Sequence, residues 1–431
     1  MIFRTEEIKT LVIGALLSGL AASSFSEESS SLSVVISIIY SLLCINKTSN
    51  ERLCLLALAM PNTRVLEVAG ISVSVLICVI DVFFSRKRKI CTISKSFVFL
   101  CILYLLFSLN NIIRFGDIND GLIMPIKMVC VLVYFYNLSI DEDYLDNSNI
   151  LPLKASIFLL IGAVAAIIGT RYGNSVEGRW EVANNDANML SNELAFCFSV
   201  FCIYYFKSKI LSIKNFALLS LVAIILCLLC GSRMGILLIA IIMICSFLLN
   251  FGNASSSLLF AIIISGIAYL FINLSIGQDA ISTFTQRSNA LESQDDISNG
   301  RYFLWGQYIA TLNQSYVLWL FGLGDYEQYG IKLMAHNAII EDLANYGIIG
   351  MFLLYSAIII IYRNIIRNIQ CPSKERTLFK LLPFFIPLFG GMTLHSWTNI
   401  INMTTLFLGM TIYSVSIKNS TNIDQYENSS N

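Results

Sequence analysis

The sequence predicts an all-α membrane protein: a polytopic bundle of about 12–14 transmembrane helices with one large external loop. Three observations predict it. Of 431 residues only 13% are charged, where a soluble domain carries about 25%. Hydrophobic residues make up 56%, and mean hydropathy is +0.72. The apolar residues come in runs of about 20, the length at which a helix crosses a bilayer. The 28 Phe and 19 Tyr cannot be covered by so few charges. Only helices suit these lengths, because each backbone group must be satisfied inside the membrane. A secreted domain, a nucleic-acid binder and a disordered chain are excluded. With 28 basic and 28 acidic residues, no net charge steers a polyanion to the chain.

Taken in order, the runs place spans near 8–25, 31–46, 65–84, 96–113, 121–140, 151–169, 187–206, 213–230, 233–250, 257–276, 345–362, 378–394 and 399–417. A short run, LCLLALAM at 53–60, is ambiguous. Basic residues mark cytoplasmic loops. Arg86, Lys87, Arg88, Lys89 and Lys95 form one such loop, Lys207, Lys209 and Lys214 a second, and Arg363, Arg367, Lys374, Arg376 and Lys380 a third. An even number of spans separates each from the next, so all three lie on one side. If 53–60 belongs to a short span, both termini are cytoplasmic; if not, the N-terminus is outside. The first run has small residues after its apolar core, as a signal peptide does, but Glu6 and Glu7 argue for an uncleaved span.

The domain plan is therefore one membrane domain over 1–417, a large external loop at 277–344 within it, and a polar tail at 418–431. The loop is too long for a connector. Its Trp305, Trp319 and tyrosines predict that it folds against the bundle.

The 12 Cys sit in or beside apolar runs and read as small apolar residues. Cys227 and Cys230 form a C-x-x-C, but no second pair completes a zinc site. His336 and His395 are the only histidines, which excludes a His-rich metal site.

A charge at the centre of a span costs roughly 2.5–3.5 kcal/mol on insertion scales. The positions of such charges are therefore informative. Lys127 and Glu193 each lie early in a span that begins outside, and Arg233 stands at the outer start of its span. Arg171, Arg179, Arg301, His336 and His395 fall on the same outer side, whereas Lys154 and Asp81 lie near inner ends as interface residues. Each has a structural reading: snorkelling for Lys127, a bundle hydrogen bond for Glu193, an interface anchor for Arg233, a satisfied turn for His395. Their clustering on one side is accounted for more simply by an outward polar cavity. Arginine grips phosphate oxygens bidentately, so such a cavity suits an anionic ligand whose lipid tail stays in the membrane.

One segment carries a recognisable pattern. AHNAIIEDLANYGIIG holds His336-Asn337, then Gly347 and Gly350. The run after the pair has helical apolar spacing, and the glycines permit close packing as the chain enters the next span. The structural reading is a helix start with an incidental histidine. The chemical reading is an imidazole, of ordinary pKa about 6.5, placed to take a proton from a hydroxyl.

This H-N-x9-G-x-x-G pattern resembles the signature of the O-antigen polymerase and O-antigen ligase superfamily. GSRMGILL, with Ser232 and Arg233, is similar to that family's short S-R motif. GRYFLWGQYIATL, with Arg301 and Trp305, followed by GLGDY, is similar to the start of its external loop. The resemblance covers residues 231–362. It implies the fold of the C-type membrane glycosyltransferases, at the outer face of a bacterial inner membrane. It implies transfer of a glycan from an undecaprenyl-pyrophosphate-linked oligosaccharide to an acceptor hydroxyl, with no metal, cofactor or nucleotide sugar. Arg233 and Arg301 would take the donor pyrophosphate, and His336 would orient or deprotonate the acceptor. Arg171 and Arg179 follow as pyrophosphate or glycan contacts, with Asn337, Lys127, Glu193 and His395 on the substrate side. Asn184, Asn185, Asn188 and the loop aromatics are compatible with sugar contacts, which the sequence permits without specifying.

The motifs do not separate a polymerase, whose acceptor is another lipid-linked repeat unit, from a ligase, whose acceptor is lipid A-core. The GSRMG and AHNAIIEDLANYGIIG variants resemble polymerase versions more closely. A chain-length-regulating partner is implied by the polymerase reading only. A transporter or flippase of lipid-linked oligosaccharide is the reading from another class. The poverty of midplane charge and the single dominant loop argue against it.

Overall fold

A computed structural model describes residues 3–26, 30–84, 94–116, 118–140, 150–170, 187–206, 210–230, 232–249, 278, 282, 301–324, 326–367, 403–404 and 407–411. The all-α expectation holds. Helices α1 (Thr5–Ser26), α2 (Ser30–Ile45) and α3 (Ser49–Ala59) lead to a hairpin of β1 (Glu67–Val68) and β2 (Ile71–Ser72), then α4 (Val73–Phe84). Next come α5 (Lys95–Phe115), α6 (Met124–Ile140), α7 (Leu151–Gly169), α8 (Ala187–Phe206), α9 (Ile213–Leu229) and α10 (Arg233–Leu249). The loop contributes α11 (Arg301–Leu312) and α12 (Tyr316–Phe321), and α13 (Ala338–Arg367) follows. Among the described residues, 6 helices are long and apolar enough to cross a membrane. The expected spans 257–276 and 378–394, most of 399–417, the tail, and residues 277–300 apart from Gln278 and Ser282 lie outside the described residues.

Contacts between helices fix their directions. The Lys154 ammonium meets Glu7 at 2.7 Å, and the Cβ of an alanine at Gly169 would sit 2.3 Å from the Gly19 carbonyl. So α1 and α7 run parallel over their whole length, packed through small residues. Lys47, just past α2, donates to Thr10 near the start of α1. Phe97 stacks on Tyr136, which sets the start of α5 beside the end of α6. Asn364 donates to Ser139, so α13 ends where α6 ends. The Ser232 hydroxyl donates to Asn188 at 2.8 Å, which sets the head of α10 beside the head of α8. The bundle therefore has a basic end, next to Arg363 and Arg367, and a far end that holds the loop.

These directions put Glu7, near the start of α1, at the basic end, so the chain returns toward the far end through the 53–60 run. It does so in an unexpected form. A capping box between Thr48 and Glu51 starts α3, which is buried along its length. At 11 residues, α3 reaches only about 16 Å. The expected span at 65–84 needs correction, because its helix begins only at Val73. Residues 67–72 instead form a hairpin with register Glu67↔Ser72 and Val68↔Ile71. Its two turn residues, Ala69 and Gly70, have φ of +51° and +76°, the geometry of a type I′ turn. Non-helical backbone is tolerated at membrane depth where protein buries it. Asn62 donates to the Ser18 carbonyl at 3.0 Å, tying this stretch to α1.

At the basic end, Asp81 and Lys154 are both paired. Arg52, 4% exposed, meets Asp81, 0% exposed, at 3.2 Å and donates to the carbonyls of Cys44 and Ile45. Cys227 and Cys230 are buried thiols within the bundle.

Candidate functional site

The far end of α13 organises the site. Asn337 caps this helix: its side-chain oxygen accepts from the amides of Ile339 and Ile340 at 3.1 and 3.3 Å. His336, one residue earlier, has φ of +50°. A left-handed non-glycine residue costs on the order of 1–3 kcal/mol and persists where its surroundings over-determine it. The surroundings here are visible. Trp305 donates its indole N–H to the Ala335 carbonyl at 2.8 Å, and Tyr308 donates its hydroxyl to the Leu333 carbonyl at 2.9 Å. The backbone is clamped before His336 and capped after it.

The clamp also brings Arg301 in. Arg301, Trp305 and Tyr308 are spaced four and three apart on α11, so they share one face. Arg301 stands one turn, about 6 Å along the axis, from the indole that holds Ala335. The loop thus places Arg301 one helical turn from the side chain that holds the backbone beside His336. Burial, with Tyr326 and Glu341 nearby, raises the pKa of Tyr308.

Two glycines lock the loop to the membrane helix. Gly347 interrupts α13 with φ +62° and ψ −176°, a region open essentially to glycine. A Cβ there would lie 2.4 Å from the Leu320 carbonyl. Gly322 answers it, since a Cβ there would lie 2.6 Å from the Asn345 carbonyl. Residues 338–346, of which 338–344 were expected in the loop and the last two in the span, thus form a separate first segment of α13. Gly350 packs on Phe107 of α5, as its place in the G-x-x-G pair led us to expect. Arg114 braces the same junction, donating to the Gly322 carbonyl at 3.0 Å.

The other predicted residues are dispersed. The backbone places Arg233 at the first position of α10, where Ser232 caps the helix by accepting from the Gly235 amide at 3.2 Å. α10 packs on α8 and α9, whereas α13 packs on α5, α6 and α12. Lys127 donates to the Gly70 carbonyl and so holds the hairpin turn. Glu193, 1% exposed, lines a small cavity with Met60, Ser156, Leu159 and Leu408. It lies about 9 Å along α8 from the helix start. Arg171, Arg179 and His395 lie outside the described residues.

Sequence reasoning missed three contributors. Tyr308 was not singled out, although its spacing from Arg301 and Trp305 marks a helix face. Glu341 and Asp342 are buried in the first turns of α13, at 5% and 0% exposure, and Asp342 accepts from the Tyr355 hydroxyl at 2.7 Å. Two adjacent acids just after a His-Asn pair were the available signal.

Residues 218–355 match the family model described as O-antigen ligase. The matched stretch holds Ser232-Arg233, Arg301, Trp305 and the His336 to Gly350 signature, and it supports the O-antigen polymerase and ligase superfamily. Comparison with curated proteins finds no match.

Proposed function

Taking the family match over residues 218–355 as the premise, we propose that the protein is a multi-pass membrane glycosyltransferase acting on a glycan linked to undecaprenyl pyrophosphate. Its far end faces the periplasm and its basic end the cytoplasm of a bacterial inner membrane. The observation that carries the reading is the bond from Trp305 to the Ala335 carbonyl, which sets the Arg301 face of α11 beside His336.

The proposed step is a displacement. An acceptor hydroxyl attacks the anomeric carbon of the donor sugar. The bond from that carbon to the pyrophosphate oxygen breaks, and the lipid pyrophosphate leaves with the electron pair. The hydroxyl proton passes to His336. Arg301 and Arg233 offset the charge that grows on the leaving group. Arg171 and Arg179 are further pyrophosphate or glycan contacts. Lys127 and Glu193, both buried, belong to the substrate side of the far end.

We assign the acceptor as a second lipid-linked repeat unit, which makes the reaction an O-antigen polymerisation. The ligase reading, with lipid A-core as acceptor, is kept because the family model is described by that activity. The lipopolysaccharide ladder of a deletion strain separates them. A single repeat unit on core supports the polymerase. Core without a repeat unit, with lipid-linked polymer accumulating, establishes the ligase instead. Transfer by purified protein from a lipid-pyrophosphate donor, without any gradient, rules out a pure transporter. His336→Asn is the informative variant, because asparagine tolerates the left-handed backbone. It should fold normally and lose transfer. Full transfer at normal protein level would remove His336 from the mechanism.

A further inference from the structure

α12 sits below the far end of α5. The Phe321 ring stacks on Phe107 with centroids 5.8 Å apart and planes at 8°. Phe107 lies about 12 Å along the axis before the end of α5. Arg114 reaches the Gly322 carbonyl from the last turn of α5, and the Leu320 carbonyl lies against Gly347. So α12 occupies the same slab as the last two turns of α5 and the first turn of α13 beyond the kink. Both of those helices are long and apolar enough to cross a membrane.

The outward faces of the loop helices carry no charge. On α12, Tyr316 is 88% exposed and Val317 52%, with Leu320 beside them. On α11, Tyr302 and Phe303 are 68% and 72% exposed, and the other exposed positions of that helix are Gly306, Gln307 and Ala310. A helix facing water would carry charged residues there. This apolar surface continues into the bundle. On α13 the exposed residues Ile348, Phe352 and Ile359 form one stripe along the lower segment, and Ile348 adjoins the kink that receives Leu320.

We propose that α11 and α12 lie in the interfacial layer of the bilayer leaflet at the far end, with Tyr302, Phe303, Tyr316, Val317 and Leu320 among lipid headgroups and upper acyl chains. The occupant of this face is bulk bilayer lipid. Tyrosine suits that depth, because its ring is apolar and its hydroxyl reaches the headgroups. The opposite face of α11 carries Arg301, so the guanidinium is held at the depth of lipid phosphates. This consequence extends the proposed function; the lipid contact itself does not depend on it.

The test is independent of activity. A fluorescent amino acid is introduced at position 316, and separately at 303, in the full-length protein. Each variant is reconstituted in phosphatidylcholine vesicles, with and without acyl chains brominated near the headgroup. Blue-shifted emission, with most of it lost to brominated lipid and little to aqueous iodide, is expected at both positions. Iodide quenching as strong as for the free fluorophore, with no effect of brominated lipid, overturns the proposal by placing the face in water. Protection from both quenchers overturns it too, by showing that protein covers the face.

Discussion

Replacing Gly347 by alanine should damage the protein more than any comparable change on the loop. Two costs combine. The backbone at φ +62° and ψ −176° is a region that costs a non-glycine residue about 1–3 kcal/mol. The added methyl group would stand 2.4 Å from the Leu320 carbonyl and 2.5 Å from the Gly322 amide. Both are backbone atoms, so relief requires moving α12 as a unit, and such overpacking costs about 1–3 kcal/mol. Together the change amounts to roughly 2–6 kcal/mol. The chain can escape by straightening α13, but that swings residues 338–346 away from α12 and pulls His336 off its clamp. The assay is thermal unfolding of the detergent-purified protein, paired with glycan transfer. Gly306→Ala is the control, because its Cβ would meet nothing within 4 Å and it lies in the interior of α11. That control should be neutral or stabilising by about 0.5–1 kcal/mol. A Gly347→Ala protein that melts with wild type and retains transfer would refute the interlocked junction.

Three further predictions follow from the same geometry. Trp305→Phe removes the donor to Ala335 and should cost about 1 kcal/mol in unfolding, with a disproportionate loss of transfer; equal small losses in both would show that the clamp does not position His336. Asn337→Ala should lose about 1 kcal/mol as a missing helix cap, while Asn337→Asp retains stability; a stable alanine variant would contradict the capping role. Ala69→Gly should raise the unfolding temperature, because it relieves a left-handed residue worth roughly 1–2 kcal/mol in the type I′ turn; no change would mean that the turn relaxes in the bilayer.

The spans were legible because apolar runs and basic loops act over many residues. Positions of α5, α7, α8, α9 and α10 follow from them within a residue or two. The region from 49 to 84 was not, because its rule is local. Thr48 and Glu51 announce a helix start, but Ala69-Gly70 is a weak turn signal, and the apolar run around it reads as a helix. The break in α13 was half legible. The glycine pair suggested close packing, yet only the partner carbonyl of Leu320, distant in sequence, makes Gly347 a kink. Side-chain roles were the least legible. Lys127 and Glu193 stand out in a sequence as costly charges, and both turn out to lie buried between packed elements, Lys127 with its bond directed at the Gly70 carbonyl.

The motifs share a division of labour that a sequence alone does not show. In Ser232-Arg233 the serine caps α10, and in His336-Asn337 the asparagine caps α13. Arg233 and His336 therefore each adjoin a residue that fixes a helix start. Both helices run from the far end to the basic end, so both present their positive dipole ends to the same side. On the proposed function, a pyrophosphate at that side would meet two helix starts as well as the guanidinium groups. The Ser232 hydroxyl also ties α10 to Asn188 at the head of α8, so losing it would loosen the Arg233 position without removing any charge. Ser232→Ala should then weaken donor binding while leaving an acceptor-side defect absent, the opposite of what His336→Asn should do.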